Sequence, residues 1–286
     1  MKRITNILLS LALVLTTTHC IFSRATTLEN TQLDIVSYNV WFDNKTADVR
    51  FPKILNQLGG LNPDVVFLQE VTPAFIKYYE NSEFAKDYYL SSTDNAKQSY
   101  GLAYFSRTRF EYTSVVRLNS QYGRTVFFAL LRLSNNHALV LANVHLESGQ
   151  YEGKVRREQI NAIHHRHLPT FLEEVSDVYP TLKLQGILWG GDLNIDGNEQ
   201  HETLSKHWSD IAALKNKSNE FTYDVKANLL AKQTSGWFEN SSRLDRFYIK
   251  HGALFSVKGY DVLSALNGQS NQLSDHYPVH IQLLIP

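Results

Sequence analysis

Carboxylates, amides and imidazoles recur in this 286-residue chain where apolar runs stop: Asn39, Glu70, His145, Asp192, Asn194, Asp245, Asp275 and His276. No serine sits in a nucleophile-elbow motif and no glycine-rich Walker loop occurs, so covalent acyl chemistry and ATP-driven transfer lack their usual parts. Oxygen donors with few thiols or paired imidazoles suit a hard cation, and magnesium is commonly held by one or two carboxylates plus water and substrate phosphate. Phosphodiester cleavage needs an activated water, compensation of phosphoryl charge and a stabilised leaving oxygen. Asp192 can take the proton of the water, Asn194 can donate to a phosphoryl oxygen, and His276 backed by Asp245 can stay protonated. Glu70 is the carboxylate expected to hold the metal.

Two other ion-binding readings compete. Asp192, Asn194 and Asp196 followed by Gly197 match the first half of a calcium loop. Position twelve is Thr203, however, and "GILWGG" before the loop reads as a buried strand rather than an entering helix. "HHRH" at 164–167 is the one dense imidazole cluster, but it lacks partners at zinc-site spacing and reads as a polar helix face.

The elements that must position these groups follow from periodicity. "LDIVSYNVW", "PDVVFLQE", "HALVLANVHLES", "GILWGGDLN" and "RLDRFYIK" are apolar runs of strand length that each carry a polar group at one end. "RFEYTSVVRL", "RTVFFALLRL" and "HALVLANV" follow one another over short connections, as in an antiparallel meander. Apolar residues at 51, 54, 55 and 58 predict a helix terminated by "LGGLNP". A second helical pattern runs from Lys154 to Val175, with a break expected at Pro169. Such an order predicts an α/β fold of packed sheets under outer helices, whose strand ends converge on one site.

Composition narrows the classes further. With 43% hydrophobic and 20% charged residues, the chain is globular, and no repeat or long linker divides it. Lys2 and Arg3, the apolar run Ile7 to Leu15 and small residues after it describe a signal peptide over residues 1–25, leaving one domain over 26–286. The apolar run is too short to span a bilayer. Export is therefore expected, to the periplasm or outside the cell; His19 makes Cys20 a poor lipoprotein site. Removal of residues 1–25 takes away Lys2, Arg3 and Arg24 and no acid, so the mature protein turns slightly acidic. That disfavours a basic, sequence-blind nucleic-acid coat. Cys20 is the only cysteine, so no intrachain disulfide can form.

"SYNVW", "FLQE", "NVHLES", "GGDLNI", "RLDRFYI" and "SDHYPV" occur in this order between about residues 33 and 285. In them the chain resembles the endonuclease/exonuclease/phosphatase superfamily. The resemblance implies a four-layer α/β sandwich, two packed mixed β-sheets flanked by helices, with the site at one end. It implies that Glu70 is the principal Mg²⁺ ligand with Asn39 and Asp275 nearby, Mn²⁺ being the alternative ion. Asp192 and Asn194 would handle water and phosphate, His276 oriented by Asp245 would contact the scissile phosphate, and His145 matches a second histidine of some branches. "NPDVVFLQEVTP", "SYGLAYF", "HLES" followed by "RREQI", "FTYD" and "RLDRFY" are similar to the 5′-tyrosyl-DNA phosphodiesterase branch. There Tyr100 and Ser148 would border the substrate, and Tyr223 would stack on a nucleotide. Asp196 departs from that branch, which tends to carry a basic residue facing phosphate.

The leading expectation is an exported Mg²⁺-dependent phosphodiesterase acting on DNA or a nucleotide-like ester, monomeric and without a stable protein partner. A sphingomyelinase or inositol phosphate phosphatase is the enzymatic alternative. The non-enzymatic one is a catalytically silent binding protein, which would show substitution at Glu70, Asp192 or His276. Arg124, Arg156, Arg157 and Arg243 are basic residues open to a polyanion, with surface ion pairing as their ordinary explanation.

Overall fold

The computed structural model describes residues 32–285 except 135, 150, 151, 198, 200, 237, 267, 268 and 271. Residues 1–25, where the signal peptide is expected, lie outside that set.

Two six-stranded sheets form the body. In the first, β1 (Gln32–Asn39), β2 (Val65–Val71), β3 (Tyr89–Ser92), β4 (Gly101–Ser106), β11 (Ser256–Val262) and β14 (Val279–Leu284) lie in the order β11-β14-β1-β2-β4-β3. The second takes β5 (Tyr112–Arg117), β6 (Thr125–Arg132), β7 (His137–His145), β8 (Lys183–Asp192), β9 (Trp208–Asp210) and β10 (Asp245–Lys250) in the order β5-β6-β7-β8-β10-β9. A short pair, β12 (Ala265–Leu266) and β13 (Gln269–Ser270), stands apart. Both sheets are mixed: β1 pairs parallel with β2 and β7 parallel with β8, each across a helical crossover, and the other pairings are antiparallel.

Alternation along each strand sorts side chains into three apolar layers. Val65 and Phe67 of β2 point between the sheets, where they join Tyr104, Leu141, Leu188 and Phe247. Val66 and Leu68 point outward to Phe51, Ile54, Leu55 and Leu58 of α1 (Ala47–Leu61) and Phe75 of α2 (Pro73–Glu80). On the far side, Phe128, Val140 and Trp189 pack against Ile160 of α4 (Gly153–Ala162) and Phe171 and Val175 of α5 (Leu168–Val178). A short helix, α3 (Asp94–Gln98), precedes β4. Helices, sheet, sheet and helices make the expected four layers.

The first helix ends within "LGGLNP" as expected, and the break in the second helical pattern falls just before Pro169. The first helix passes through Gly59 and Gly60 and stops at Asn62, whose left-handed φ of 56° and N–H bond to Leu58 O close the last turn before Pro63. The break near Pro169 is a π-turn over Ile163–His167, which ends α4 and lets Pro169 occupy the first turn of α5. "RFEYTSVVRL" to "HALVLANV" forms the antiparallel run β5-β6-β7. Asp192 closes a strand, so no helix enters a calcium loop there.

Candidate active site

The strand ends that carry polar groups meet at one end of the sandwich. Glu70, Tyr100, His145, Ser148, Asp192, Asn194, Tyr223, Asp275 and His276 line a single cavity of about 250 Å³. Asn39 and Asp245 lie directly behind it: Asn39 Nδ2 donates to Glu70 Oε1 at 3.1 Å and Asp192 Oδ2 at 2.9 Å, and Asp245 Oδ2 accepts from His276 Nδ1 at 2.7 Å. Asn39, Glu70, Asp275 and His276 belong to the first sheet or its loops, whereas His145, Asp192 and Asp245 belong to the second.

Backbone strain concentrates here. Trp41, Glu70 and Asn194 have φ of 59°, 60° and 53°, conformations that cost non-glycine residues about 1–3 kcal/mol and persist only where surroundings enforce them. At Glu70 the cause is a bulge: the β2–β4 register slips between Leu68 and Val71, turning the carboxylate into the cavity. At Asn194 the turn lets its N–H donate to Asp192 Oδ1 at 3.0 Å while its Nδ2 donates to Leu146 O at 3.1 Å. One amide hydrogen of Asn194 is left for a ligand. Gly191 precedes with φ of 129°, and a Cβ there would stand 2.1 Å from Val144 O. Only glycine lets β8 reach Asp192 on this path.

Charge follows from burial. Burial, the largest influence, pushes the Glu70 carboxyl up, and it raises Asp192 and Asp275 to about 6. Burial alone would lower His276, but Asp245, Asp192 and Asp275 around it hold it well above an ordinary histidine, so it is imidazolium at neutral pH. His145 goes the other way: burial, then Arg124 and His276, keep it neutral. Arg124 Nη1 lies 2.8 Å from His145 Nδ1, and a guanidinium can only donate. That contact puts the imidazole proton on Nε2, which faces Asp192 Oδ2 at 3.3 Å.

Among the described residues, Glu70, His145 and Asp192 can bring one ligand atom each within 4.8 Å of the others, as can Asp192, Asp245 and His276. Glu70 faces the cavity; among the described residues it accepts from Asn39 Nδ2 and from the N–H of Phe42, 3.0 Å from Oε2, and His145 Nε2 stands 3.9 Å from Oε1. Asn39 turns its Oδ1 to Trp41 N and its amide nitrogen to the carboxylates, so it orients Glu70. Asp275 is held by Thr234 and Ser274. Among the described residues, Glu70, Asp192 and Asp275 line the cavity with Asp245 behind His276, against Arg124 and His276 as cations, and this excess of negative charge fits a divalent cation.

Three placements correct the sequence reading. Arg124 is no surface residue: it is buried in the cavity wall, donating to His145 and to Ser148 Oγ. Its only mark in the sequence is its place just before "TVFFALLRL". Tyr223 reaches the cavity, but its ring is 2% exposed, 5.4 Å from the His276 ring and packed on Phe238, while its hydroxyl donates to Ala231 O. It supports His276 instead of offering an open face. Open aromatic surface is offered by Phe42, 48% exposed and stacked on Tyr100 at 5.2 Å, and by Tyr122. Asp196 is not among the residues lining the cavity.

Arg50 was missed. It is buried beneath α1, and its guanidinium donates to the carbonyls of Val40, Trp41, Asp43 and Leu273. It thereby joins the loop after Asn39 to the loop before Asp275. Arg156 and Arg243 are paired inside the fold, with Glu199 and Asp210.

A model of the Endonuclease/Exonuclease/phosphatase family matches residues 36–276. Tyrosyl-DNA phosphodiesterase 2 of Danio rerio is 24% identical over 231 residues, 78% of this chain and 58% of that protein. Its counterpart in Xenopus tropicalis is 25% identical over 232 residues, 76% and 57%. The chain spans a little over half the length of these relatives. Truncated tyrosyl-DNA phosphodiesterase 2 of Caenorhabditis elegans superposes with a TM-score of 0.68 at 19% identity, covering 88% of this chain and 98% of that one. The Danio rerio protein complexed with single strand DNA product gives 0.66 at 20% identity, covering 89% and 99%. At such identity the superpositions speak for the fold. Family match, fold and site geometry agree: the chain belongs to the Endonuclease/Exonuclease/phosphatase family.

Proposed function

We propose that this chain is an exported, Mg²⁺-dependent phosphodiesterase that acts on DNA or a nucleotide-like ester. The observation that carries this reading is the convergence of Glu70, Asp192, Asn194, Arg124 and the Asp245–His276 pair on one cavity. Glu70 is the residue to hold the ion, beside Asp192 and Asp275. When bound, Mg²⁺ supplies positive charge against the phosphoryl oxygens and the leaving oxygen.

The side chains divide the remaining work. Asp192 is oriented by Asn39 and Asn194, and its carboxyl, raised to about 6, accepts the proton of the attacking water. His276, kept protonated by Asp245, donates from Nε2 to a phosphoryl oxygen; Asn194 donates its free amide hydrogen to another. Arg124 adds a permanent charge and fixes the His145 tautomer. The Phe42–Tyr100 pair at the rim suits an aromatic group such as a base, because every base has a π-face.

The named substrate of the curated relatives, tyrosyl-DNA, supports a diester with an aromatic side, while the apolar run after Lys2 and Arg3 favours a substrate outside the cytoplasm. The test is a panel of supercoiled DNA, 5′-tyrosyl oligonucleotide, sphingomyelin and inositol phosphates, each with Mg²⁺ and with chelator. Cleavage of one of the first two, lost with chelator and restored by Mg²⁺ or Mn²⁺, is expected. Turnover confined to sphingomyelin or inositol phosphates would move the assignment to the lipid side. N-terminal sequencing of the exported protein should begin near residue 26, and sedimentation should give a monomer.

A further inference from the structure

Arg124 is held at its guanidinium end by His145 and Ser148 of the cavity wall, and at its backbone end by Ser120, which does not line the cavity. At its backbone end, Ser120 Oγ accepts from the N–H of Arg124 at 3.1 Å and of Tyr122 at 3.0 Å. The turn carrying Ser120 is pinned on either side. Asn119 O accepts from Gln159 Nε2 at 2.8 Å, and the N–H of Gln121 donates to Glu147 Oε1 at 3.2 Å.

At the guanidinium end, Nη2 donates to Ser148 Oγ. The residue before Ser148 is held through its main chain: Glu147 N donates to Gln159 Oε1 at 3.0 Å, and Glu147 O accepts from Arg156 Nη1 at 2.8 Å. Gln159 Nε2 also reaches Glu147 Oε2 at 3.2 Å. One amide on α4 therefore ties the segment that carries the Arg124 backbone to the segment that receives its side chain.

Gln159 is 1% exposed and Glu147 is fully buried. Among the described residues no cation forms an ion pair with Glu147, so its carboxylate is held by neutral N–H donors. Burying a charge in this way costs stability, and an apolar pair would fill the same space more favourably. Orientation is the return. A long guanidinium has many rotamers, and a phosphate gains most from one already aimed at it.

The structure assigns Gln159, acting through Glu147, as the positioning residue that aims Arg124 at the phosphate of a bound diester; the assignment rests on the cavity being a phosphodiester site. Gln159 does not line the cavity, so its path to turnover runs through the segments that hold Arg124 and Ser148.

Two measurements test it, on Gln159→Ala and on Gln159→Met, which keeps the side-chain volume should the alanine variant fail to fold. With Mg²⁺ and bis(p-nitrophenyl) phosphate, kcat/KM is expected to fall about tenfold. In an Arg124→Ala background the same substitution should change it less than about twofold, because the group acted on is gone. Amide hydrogen exchange, which needs no turnover, should quicken at residues 118–124 and stay as in wild type in β2 and β10. Equal losses in both backgrounds, or unchanged exchange at 118–124, would overturn the assignment. If the wild-type protein cleaves no diester, the functional reading falls separately, and exchange still decides whether Gln159 holds Arg124.

Discussion

His276 and His164 are imidazoles set among aromatic rings in one molecule, yet one is charged and the other neutral. His276 lies beside the Tyr223 ring with Asp245 at its Nδ1 and Asp192 3.8 Å from its Nε2, and it stays protonated. His164 projects from the π-turn between Trp189 and Trp208, with ring centroids 4.7 Å from each. Its Nε2 is enclosed without a partner, and burial, then Lys250, His165 and His207, push it down to about 3. Enclosure alone therefore does not choose the protonation state; a carboxylate at one nitrogen does. The first imidazole serves chemistry, whereas the second is an apolar wedge between α5 and the second sheet.

The contrast breaks most sharply at His276 itself. His276→Ala should lower kcat/KM by about 10³-fold with the melting temperature little changed, since the lost group is a donor to the reacting phosphate. Retained turnover in the purified variant would remove His276 from the mechanism. Asp245→Asn comes next: without the carboxylate, His276 loses its proton nearer neutrality, so activity should fall about 10²-fold at pH 8 and less at pH 6. An unchanged ratio between the two pH values would mean that Asp245 does not set the charge.

The smallest effect concerns the other imidazole. Between about pH 3 and 6.5 the unfolded chain binds a proton on His164 that the folded chain refuses, so this group withdraws stability as pH falls through that window. The acid cost is on the order of a few kcal/mol. His164→Phe should flatten acid unfolding there and leave kcat unchanged at pH 7.5; denaturant midpoints with the wild-type acid slope would refute this.

Most of the site is legible in the sequence because it stands at strand ends. An apolar run that stops at His145 or Asp192 states the element and where it ends, whereas the bulge that turns Glu70 into the cavity has no mark in the sequence. What pairs across the sheets is not written locally. Arg124 looks like any basic residue ahead of a strand, and only β7 and the loop with Ser148 make it part of a wall. "HHRH" reads as a polar helix face, yet His164 turns inward, because the π-turn shifts the register of the helix by one residue. Tyr223 carries the motif of a stacking residue, but it is buried beside Phe238 and His276. The first helix ends within "LGGLNP" as its sequence predicts, and the left-handed Asn62 makes the stop.

The amide of Asn39, on one sheet, grips the carboxylate of Asp192, on the other, and Gln69 Nε2 crosses the same gap to Asn143 Oδ1 at 2.8 Å. Each half of the molecule thus contributes tools useless without the other, and turnover works as a gauge of how truly the two slabs are aligned. On gentle heating, a slippage too slight to disturb far-ultraviolet dichroism should already silence the enzyme.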